Sequence, residues 1–317
     1  MISAIVVNYN GAGFLSDCLM SLCAQTYPDF EVIVVDNAST DGSDAIAAGF
    51  APRVRLIRNG SNPGYGGGIN AGIAAAAGDA ILALNNDIVL DPDCVAHLAE
   101  ALATDSRTGM WATKMVLPDG RLDSTGLCIS RSGAAWNRHK GLEDSEPEST
   151  TGEVLGPCGG AALYRRGMLE EVGSFDEAFF LYMEDVDLAL RARLAGWKCR
   201  YVPQAKVIHV NGGTVGRGSD MGIYYGNRNI IWYAFKDFPL RLLVTSLPWI
   251  IGRNLGVVVY YALHGRGRLA IRAKIDAVAG LGNIIRKRRR VIRSASYQEI
   301  TRFVKTWARE EARYVGA

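Results

Sequence analysis

Short apolar segments alternate with helix-like segments along the first part of the chain, and this alternation restricts the fold more than any other feature. Ile2–Val7, Phe30–Val35, Val54–Ile57 and Ala80–Leu84 are rich in β-branched and aliphatic residues and are each long enough for one strand. The stretches between them carry apolar residues at helical spacing. Buried strands that alternate with helices are typical of a parallel sheet covered by helices on both faces. The sequence therefore predicts an α/β fold with a mostly parallel central sheet flanked by helices.

Charge is divided unevenly along the chain. Residues 1–235 hold 18 basic and 27 acidic side chains, whereas residues 236–317 hold 17 basic and 5 acidic ones. Parts of a chain that differ this strongly usually perform different tasks. We therefore predict a main α/β domain over 1–235, with halves at 1–105 and 106–235, and a helical basic extension over 236–317.

Several protein classes are excluded because their motifs are missing. The turn after the first strand lacks the G-x-G-x-x-G fingerprint of NAD-binding oxidoreductases. The chain also lacks an ATP-binding P-loop and the G-x-S-x-G elbow of serine hydrolases. Its six cysteines include no C-x-x-C pair, which argues against a zinc ribbon or a disulfide scaffold. The N-terminal residues have no basic n-region or cleavage site, so we expect no secretory signal.

Polar residues follow the predicted strands at the edge where such sheets bind ligands. Asn8 and Asn10 follow the first strand, Asp36 the second, and Asn85 and Asp87 the fourth. Asp87 ends the fourth strand with Asn85 two residues before it, so we expect their side chains to point the same way and to face one ligand together. A carboxylate at this position suits a hard divalent cation that also holds a diphosphate. The alternative is that Asn-Asn-Asp merely forms a turn.

Two further segments could carry chemistry. Glu184 and Asp185 open a helical run that continues to Leu194, where acidic residues either interact with the helix dipole or act as a general base. The residues just before them are largely apolar, which would remove water from a carboxylate and raise its basicity. His209 ends an apolar run ahead of a glycine turn, and it is either a packed core residue or a neutral metal ligand.

Taken together, five segments resemble one family. The chain resembles the family 2 glycosyltransferases with the GT-A fold, the inverting nucleotide-sugar enzymes, over roughly residues 2–235. The segments are Val6–Gly11, Val34–Gly42, Asn59–Gly72, Leu84–Asp87 and Phe180–Arg191. Within the family it is most similar to the bacterial rhamnosyltransferase-like branch. That similarity is carried by Gly159–Ala161, Gly173–Glu177, the Glu-Asp pair, the His-x-x-Gly turn and Tyr225–Asn229.

The resemblance implies a role for each motif. Asp185 would be the catalytic base, with Glu184 as its orienting partner or as a second candidate. Asp87 is the last position of the family's D-x-D metal motif, whose first Asp is Asn85 here, and His209 matches a histidine that completes the metal site. The implied cofactor is Mg²⁺ or Mn²⁺. The residues implied in binding the nucleotide sugar are Asn8, Asn10, Asp36, Asn62, Gly64, Asn70 and Asn86.

The implied reaction is a single displacement at a sugar. An acceptor hydroxyl attacks the anomeric carbon that bears the nucleoside diphosphate, the base takes the hydroxyl proton, and the cation neutralises the departing diphosphate. The branch implies dTDP-rhamnose as donor and a polyprenyl-diphosphate-linked or polysaccharide acceptor in cell-surface glycan synthesis. Two alternatives stay open: a transferase that uses a UDP- or GDP-hexose, and a non-catalytic membrane-attached binding module with a degenerate metal site. The enzyme hypothesis requires Asp87 and Asp185 to share one cavity.

The C-terminal region combines apolar and basic segments. Leu242–Ile251 and Leu255–Leu263 are separated by Arg253, and neither reaches the ~18 uncharged residues of a membrane span. Between His264 and Arg302 there are eleven Lys or Arg and two acidic residues. Apolar helices beside basic clusters predict a segment that lies on an anionic membrane surface. We expect such a membrane partner rather than nucleic acid, and a cytoplasmic location, peripheral on the inner face of the plasma membrane. The alternatives are a solvated helical cap and a nucleic-acid-binding surface.

Overall fold

The computed structural model describes residues 1–144, 152–210 and 219–306. The strands of these residues are β1 Ile2–Asn8, β2 Phe30–Asp36, β3 Val54–Arg58, β4 Ala80–Asn85, β5 Ile88–Leu90, β6 Thr108–Val116, β7 Leu122–Ser124, β8 Leu127–Ser130, β9 Ala135–Asn137, β10 Gly152–Glu153, β11 Ala161–Arg165, β12 Lys198–His209 and β13 Val304–Lys305. The helices are α1 Leu15–Cys23, α2 Ser43–Ala48, α3 Gly64–Ala75, α4 Cys94–Thr104, α5 Arg166–Val172, α6 Glu184–Leu194, α7 Asp220–Asp237, α8 Leu240–Leu263, α9 Gly267–Arg288 and α10 Tyr297–Thr301.

The first half of the chain forms the parallel part of the sheet. Strands β3, β2, β1 and β4 lie side by side in that order, and all three pairs are parallel. Alternate residues of β1 enter two different cores: Ile5 and Val7 pack in the core that includes Ile69 of α3, and Ala4 and Val6 pack with α1. The predicted α/β fold with helices on both faces is thus confirmed.

The second half makes the sheet mixed. Strand β11 lies antiparallel between β4 and β6, and β12 then pairs parallel with β6. Residues 198–209 form one long strand, β12, with a shift of register between Val202 and Lys206. The end of β12 pairs antiparallel with β5, and His209 lies opposite Ile88, the residue that follows Asp87. This pairing brings His209 close to Asp87.

The C-terminal helices pack against the sheet domain through buried charges. Lys236 Nζ lies 2.6 Å from Asp176 and 2.5 Å from Asp187, and Lys287 of α9 also contacts Asp176. Asp187 is fully buried and forms an ion pair with Arg191. The boundary predicted between residues 235 and 236 falls inside α7, which continues through it. The division into two domains stays a prediction.

α8 differs from the sequence-based expectation. The two apolar runs around Arg253 join into one helix of 24 residues, and Pro248 lies inside this helix. By length and mean hydropathy this helix could cross a bilayer, and it is mostly not buried in the protein. Each uncharged run by itself is still shorter than a span; the sequence-based expectation did not foresee that the two runs join into one helix that contains Arg241 and Arg253.

Candidate functional site

The carboxyl edge of the parallel strands carries a buried polar network centred on Asn8. Its Nδ2 donates hydrogen bonds to the Asp36 carboxylate and to Ser43 Oγ, each at 2.8 Å, and its Oδ1 accepts one from Asn86 Nδ2 at 2.8 Å. Asp36 also accepts hydrogen bonds from the Ser39 hydroxyl and amide. Asn8 is fully buried, and Asp36 and Asn86 nearly so. The structure thus brings these three predicted residues together, with Asn8 supporting Asp36 and Asn86 from the interior.

Asn10, Asn62 and Asn70 form hydrogen bonds that fix the surrounding backbone. Asn10 Oδ1 accepts one from an amide in the loop after β2, and Asn62 Oδ1 accepts one from the Gly64 amide, both at 2.8 Å. Asn70 Nδ2 donates to the Phe175 carbonyl at 2.9 Å. These side chains are therefore engaged in shaping the loops around the strand edge.

The start of α3 is fastened to the segment that precedes α6. Gly64 has φ +78°, and a Cβ at this position would lie 2.2 Å from the Phe180 carbonyl oxygen, so only glycine fits. The Tyr65 amide donates to that same oxygen at 2.8 Å. The Tyr65 hydroxyl donates to the Gly159 carbonyl at 2.5 Å. The glycine-rich segment thus holds the two loops on which the acidic pair depends.

The acidic pair opens α6. Asp185 Oδ2 accepts a hydrogen bond from the Gly159 amide at 2.9 Å, and its Oδ1 accepts one from the Val186 amide at 2.8 Å. Glu184 is buried, and its Oε2 has no hydrogen-bond partner among the described residues. Asp185 is thus supported as a carboxylate by two amides, whereas one oxygen of Glu184, Oε2, has no donor among the described residues.

Burial affects the ionisation of both acids. It raises the pKa of Asp185, although the amides of Gly159 and Val186 favour the ionised form. Burial, and then the negative charge of Asp185, raises the pKa of Glu184. Neighbouring carboxyl groups in unequal surroundings can divide the roles of ionised base and neutral partner. The hydrogen bonds favour Asp185 as the ionised member and Glu184 as the neutral one.

His209 lies between two carboxylates. Its Nδ1 is 2.7 Å from Asp123 Oδ2, and its Nε2 is 3.4 Å from Asp87 Oδ2. Burial opposes a charge on His209, but the two carboxylates outweigh this effect and raise its pKa to about 9. Burial likewise opposes ionisation of Asp123, but His209 and Lys140 outweigh it and lower the pKa of Asp123 to about 2. Asp123 therefore fixes the imidazole with Nε2 toward Asp87.

A divalent cation shared with a diphosphate fits these residues. No group of three or more His, Cys, Asp or Glu side chains is placed to hold a metal ion in the described part of the chain. Asp87 supplies a carboxylate oxygen and His209 an imidazole nitrogen, and Mg²⁺ is commonly held by one or two carboxylates together with substrate phosphates. The carboxylate of Asp123 on the other ring nitrogen is typical of metal-bound histidines. The site resembles half of a coordination shell that substrate oxygens would complete.

Asn85 and Asp87 do not lie side by side on one strand. β4 ends at Asn85, and Asn86 and Asp87 form the turn into β5. The alternation argument was therefore wrong for Asp87, because the strand does not continue to it. Asp87 is instead placed by this turn, where its carbonyl accepts a hydrogen bond from the Val210 amide at 3.0 Å.

One cavity of about 300 Å³ is lined both by residues from the predicted metal site and by the acidic pair Glu184 and Asp185. Its lining contains Asn85, Asp123, Lys140, His209, Glu184 and Asp185, together with Tyr65, Trp136, Cys158 and Tyr182. Asp87 takes part through His209, which it contacts. Asp87 itself is not among the lining residues, so the requirement that Asp87 and Asp185 share one cavity is not shown; His209 and Asn85 are the residues that share the cavity with the acidic pair.

Sequence reasoning missed Asp123 and Lys140. Lys140 Nζ lies 2.5 Å from Asp123 Oδ1, and Asp123 is nearly fully buried. Neither residue belongs to a recognisable motif. The one available signal was an aspartate inside the short strand β7, since aspartate is uncommon in strands.

Comparisons with known proteins agree with this geometry. Residues 3–173 match the family described as Glycosyl transferase family 2. The chain is 33% identical over 315 residues to an N-acetylglucosaminyl-diphospho-decaprenol L-rhamnosyltransferase from Mycobacterium tuberculosis. That alignment covers 88% of this chain and 98% of the relative.

Solved structures share the fold. A mannosyltransferase from Pyrobaculum calidifontis in complex with GDP-Man and Mn²⁺ gives a TM-score of 0.56 at 18% identity and covers 92% of this chain and 84% of its own. S. aureus TarS 1–349 in complex with UDP-GlcNAc gives a TM-score of 0.57 at 20% identity, with coverages of 87% and 80%. At such identities the similarity concerns the fold alone, which is the GT-A fold. The family match and the long alignment with a rhamnosyltransferase show that the chain belongs to the family 2 glycosyltransferases.

Proposed function

We propose that this glycosyltransferase moves L-rhamnose from dTDP-rhamnose, with inversion, to a hydroxyl of a polyprenyl-diphosphate-linked sugar in cell-surface glycan synthesis. The observation that carries the proposal is the single cavity that contains Asp185 and His209. The named relative supports the choice of sugar and acceptor, because its name specifies L-rhamnose and a decaprenol-linked N-acetylglucosamine and it aligns along almost its whole length.

Asp185 is the proposed general base. Its carboxylate lies on the cavity and is oriented by two backbone amides, so it can accept the proton of an acceptor hydroxyl. Glu184 is buried beside it without a partner for Oε2, and we propose that it stays neutral and keeps water away from the base. One base suffices because a nucleoside diphosphate leaves without protonation.

Asp87 and His209 are the proposed ligands of Mg²⁺ or Mn²⁺; His209 and Asn85 line the cavity, and Asp87 contacts His209. The cation, when bound, neutralises the departing diphosphate. Asp123 holds His209 in the orientation that leaves Nε2 toward Asp87. We propose that Asp36 and Asn10 contact the pyrimidine nucleoside and that Asn8 and Asn86 support them. Asn62, Gly64 and Asn70 are the proposed wall for the remainder of the donor.

A membrane surface is the proposed site of action. Of the 18 large apolar side chains exposed in the described residues, 12 lie between residues 240 and 292. We call those on α8 and α9 the α8–α9 face; its members are Leu240, Val244, Trp249, Ile251, Leu255, Val259, Leu263, Ile271, Ile275, Val278 and Ile285. Exposed Arg286, Arg289 and Arg290 follow it. Apolar side chains beside clustered cations suit an anionic bilayer, where each cation contributes about 1 kcal/mol.

The α8–α9 face lies on helices connected to the cavity. The start of α7 packs beside Tyr182, which lines the cavity, and Arg266 just before α9 lies 3.5 Å from Asp220 at the start of α7. A lipid-linked acceptor held at a membrane surface would thus have its sugar near Asp185. We propose that the enzyme is cytoplasmic and peripheral on the inner face of the plasma membrane.

The decisive experiment compares Asp185→Asn with wild type. We expect loss of sugar transfer by at least ~10²-fold, with binding of dTDP-rhamnose retained, because only the proton acceptor is removed. The exposed residue Asp119 provides the control Asp119→Asn, which should behave as wild type. Wild-type turnover by Asp185→Asn would remove Asp185 from the role of base.

A second experiment tests the donor and the cation. A thermal-shift series with dTDP-, UDP- and GDP-sugars should show the largest stabilisation with dTDP-rhamnose, and EDTA should abolish both this shift and transfer until Mn²⁺ or Mg²⁺ is restored. A larger shift with a UDP- or GDP-hexose would refute the rhamnosyl assignment. Full activity in EDTA would refute the metal site.

A further inference from the structure

The turn that leads into α6 has an unfavourable backbone conformation. Phe180, Tyr182 and Met183 have φ values of +65°, +65° and +72°. Phe180 has ψ −58°, and the Leu181 amide donates across it to the Phe179 carbonyl at 2.8 Å. This is the γ-turn form that side-chain-bearing residues rarely adopt. Such conformations persist only where the surrounding structure holds them.

Asn229 of α7 supplies the main polar restraint on this turn. Its Nδ2 lies 2.8 Å from each of the carbonyl oxygens of Phe179, Leu181 and Tyr182, so its two hydrogens are shared among three acceptors. The side chain is fully buried. The preceding residue, Arg228, adds a hydrogen bond to the Phe179 carbonyl at 3.0 Å. These three carbonyl groups of the turn have no partners in a described helix or sheet, and the Asn229 carboxamide supplies their hydrogen bonds.

The opposite side of the turn is held by α3. The Phe180 carbonyl accepts a hydrogen bond from the Tyr65 amide of α3. The Phe180 ring stacks on Tyr225 of α7, with centroids 4.8 Å apart. Immediately after the turn, Met183 caps α6, and Asp185 then reaches the Gly159 amide. A change in the turn would therefore move Asp185 away from that amide.

We propose that Asn229 is a positioning residue for the transfer reaction. Its carboxamide keeps residues 179–183 in the conformation that presents the Asp185 carboxylate to the cavity. Asn229 itself touches neither donor nor acceptor in this arrangement, because its amide is used by the turn. The inference rests on the proposed role of Asp185 as the base.

The test uses Asn229→Asp and Asn229→Ala in the full chain. Aspartate keeps the shape of the side chain but removes the donors. The matched control is Asn227→Asp in the same helix, because among the described residues the buried Asn227 carboxamide donates to the Ile223 carbonyl and accepts from Lys274, and so does not contact the turn. We expect kcat to fall by ~10²-fold in both Asn229 variants. The Kd of dTDP-rhamnose should stay unchanged, and the control should keep its kcat.

Two further readouts separate positioning from general damage. Hydrogen exchange of the amides of residues 180–186, measured without ligand, should be faster in Asn229→Asp than in wild type and the control. The acid limb of the kcat–pH profile should move to lower pH, because a carboxylate released from burial regains an ordinary pKa.

Each other outcome overturns the proposal. Wild-type kcat or unchanged exchange in Asn229→Asp would show that the turn does not need this residue. An equal loss in Asn227→Asp, a weaker donor Kd, or failure of both Asn229 variants to fold would assign Asn229 to stability alone. If wild type transfers no sugar from any donor, the proposed function fails, while the exchange measurement still decides whether Asn229 holds the turn.

Discussion

The imidazole of His209 donates through Nδ1 to the carboxylate of Asp123 at 2.7 Å, and its other nitrogen is thereby directed to Asp87. The two residues lie far apart in sequence, on β12 and β7, and are joined only because both strands pair with β6. A carboxylate behind a histidine fixes the ring and increases its basicity as a ligand. Asp123 should therefore determine how well this site holds a cation.

Replacing Asp123 by alanine should weaken cation binding by about 10- to 100-fold, since the imidazole loses its orienting partner. The quantity measured is the Mn²⁺ concentration that gives half-maximal binding of dTDP, and the binding is detected by calorimetry. Asp119→Ala, on the exposed loop nearby, should leave that concentration unchanged. An equal Mn²⁺ requirement in Asp123→Ala and wild type would contradict the assignment.

Replacing Glu184 by glutamine should leave transfer within about tenfold of wild type, because glutamine reproduces a neutral carboxyl group. Burial and the charge of Asp185 raise the pKa of Glu184, so the carboxyl should already be neutral near pH 7. The measurement is kcat for Glu184→Gln beside kcat for Asp185→Asn. If the glutamine variant lost as much activity as Asp185→Asn, Glu184 would be the better candidate for the base.

Acid should weaken the attachment of the C-terminal helices at Asp176. Burial raises the pKa of this carboxyl, but Lys236 and Lys287 outweigh that effect and lower it to about 2, against an ordinary value of 3.8. The group therefore contributes about 2 kcal/mol of stability above pH 3.8, and this contribution is lost as pH falls through the folded pKa. Urea unfolding of wild type should show this loss.

Asp176→Asn tests the same ion pairs. The variant should be less stable than wild type at pH 7, and the two unfolding free energies should converge toward pH 2 because the carboxylate is lost in both. Asp119→Asn, which changes an exposed carboxylate, should show no such convergence. A constant difference between Asp176→Asn and wild type at all pH values would rule out the ionised carboxylate as the cause.

The α8–α9 face should bind anionic vesicles. Leu255→Asp combined with Ile275→Asp places two charges on exposed positions of that face, so flotation with phosphatidylglycerol vesicles should fall steeply while the fold is kept. Met20→Asp, an exposed apolar position on α1, is the matched control and should float as wild type does. Equal flotation of all three proteins would refute a membrane role for this face.

The sequence alone determined the parallel half of the fold and the position of several polar residues at one edge of its sheet. Apolar runs with strand composition specified β1 to β4, because the residues that the pattern marks as apolar are the ones that the sheet buries. The polar residues at the ends of these strands were expected to lie at one edge of the sheet, and the pairing of β1 with β2 and β4 brings them there. The helical limits of α6 also followed from local signals, because acidic residues at its start and apolar spacing coincide.

Only the tertiary structure decided the rest, because the contacts involved join residues distant in sequence. Asp123 meets His209 across two strands of the mixed half, whose order no local pattern specifies. Asp87 turned out to be placed by a turn, and Asn229 reaches a strained loop some fifty residues earlier in the chain. The order of the strands and the burial of polar side chains depend on which residues distant in sequence can satisfy one another's hydrogen bonds. Those contacts form only when the whole chain has folded.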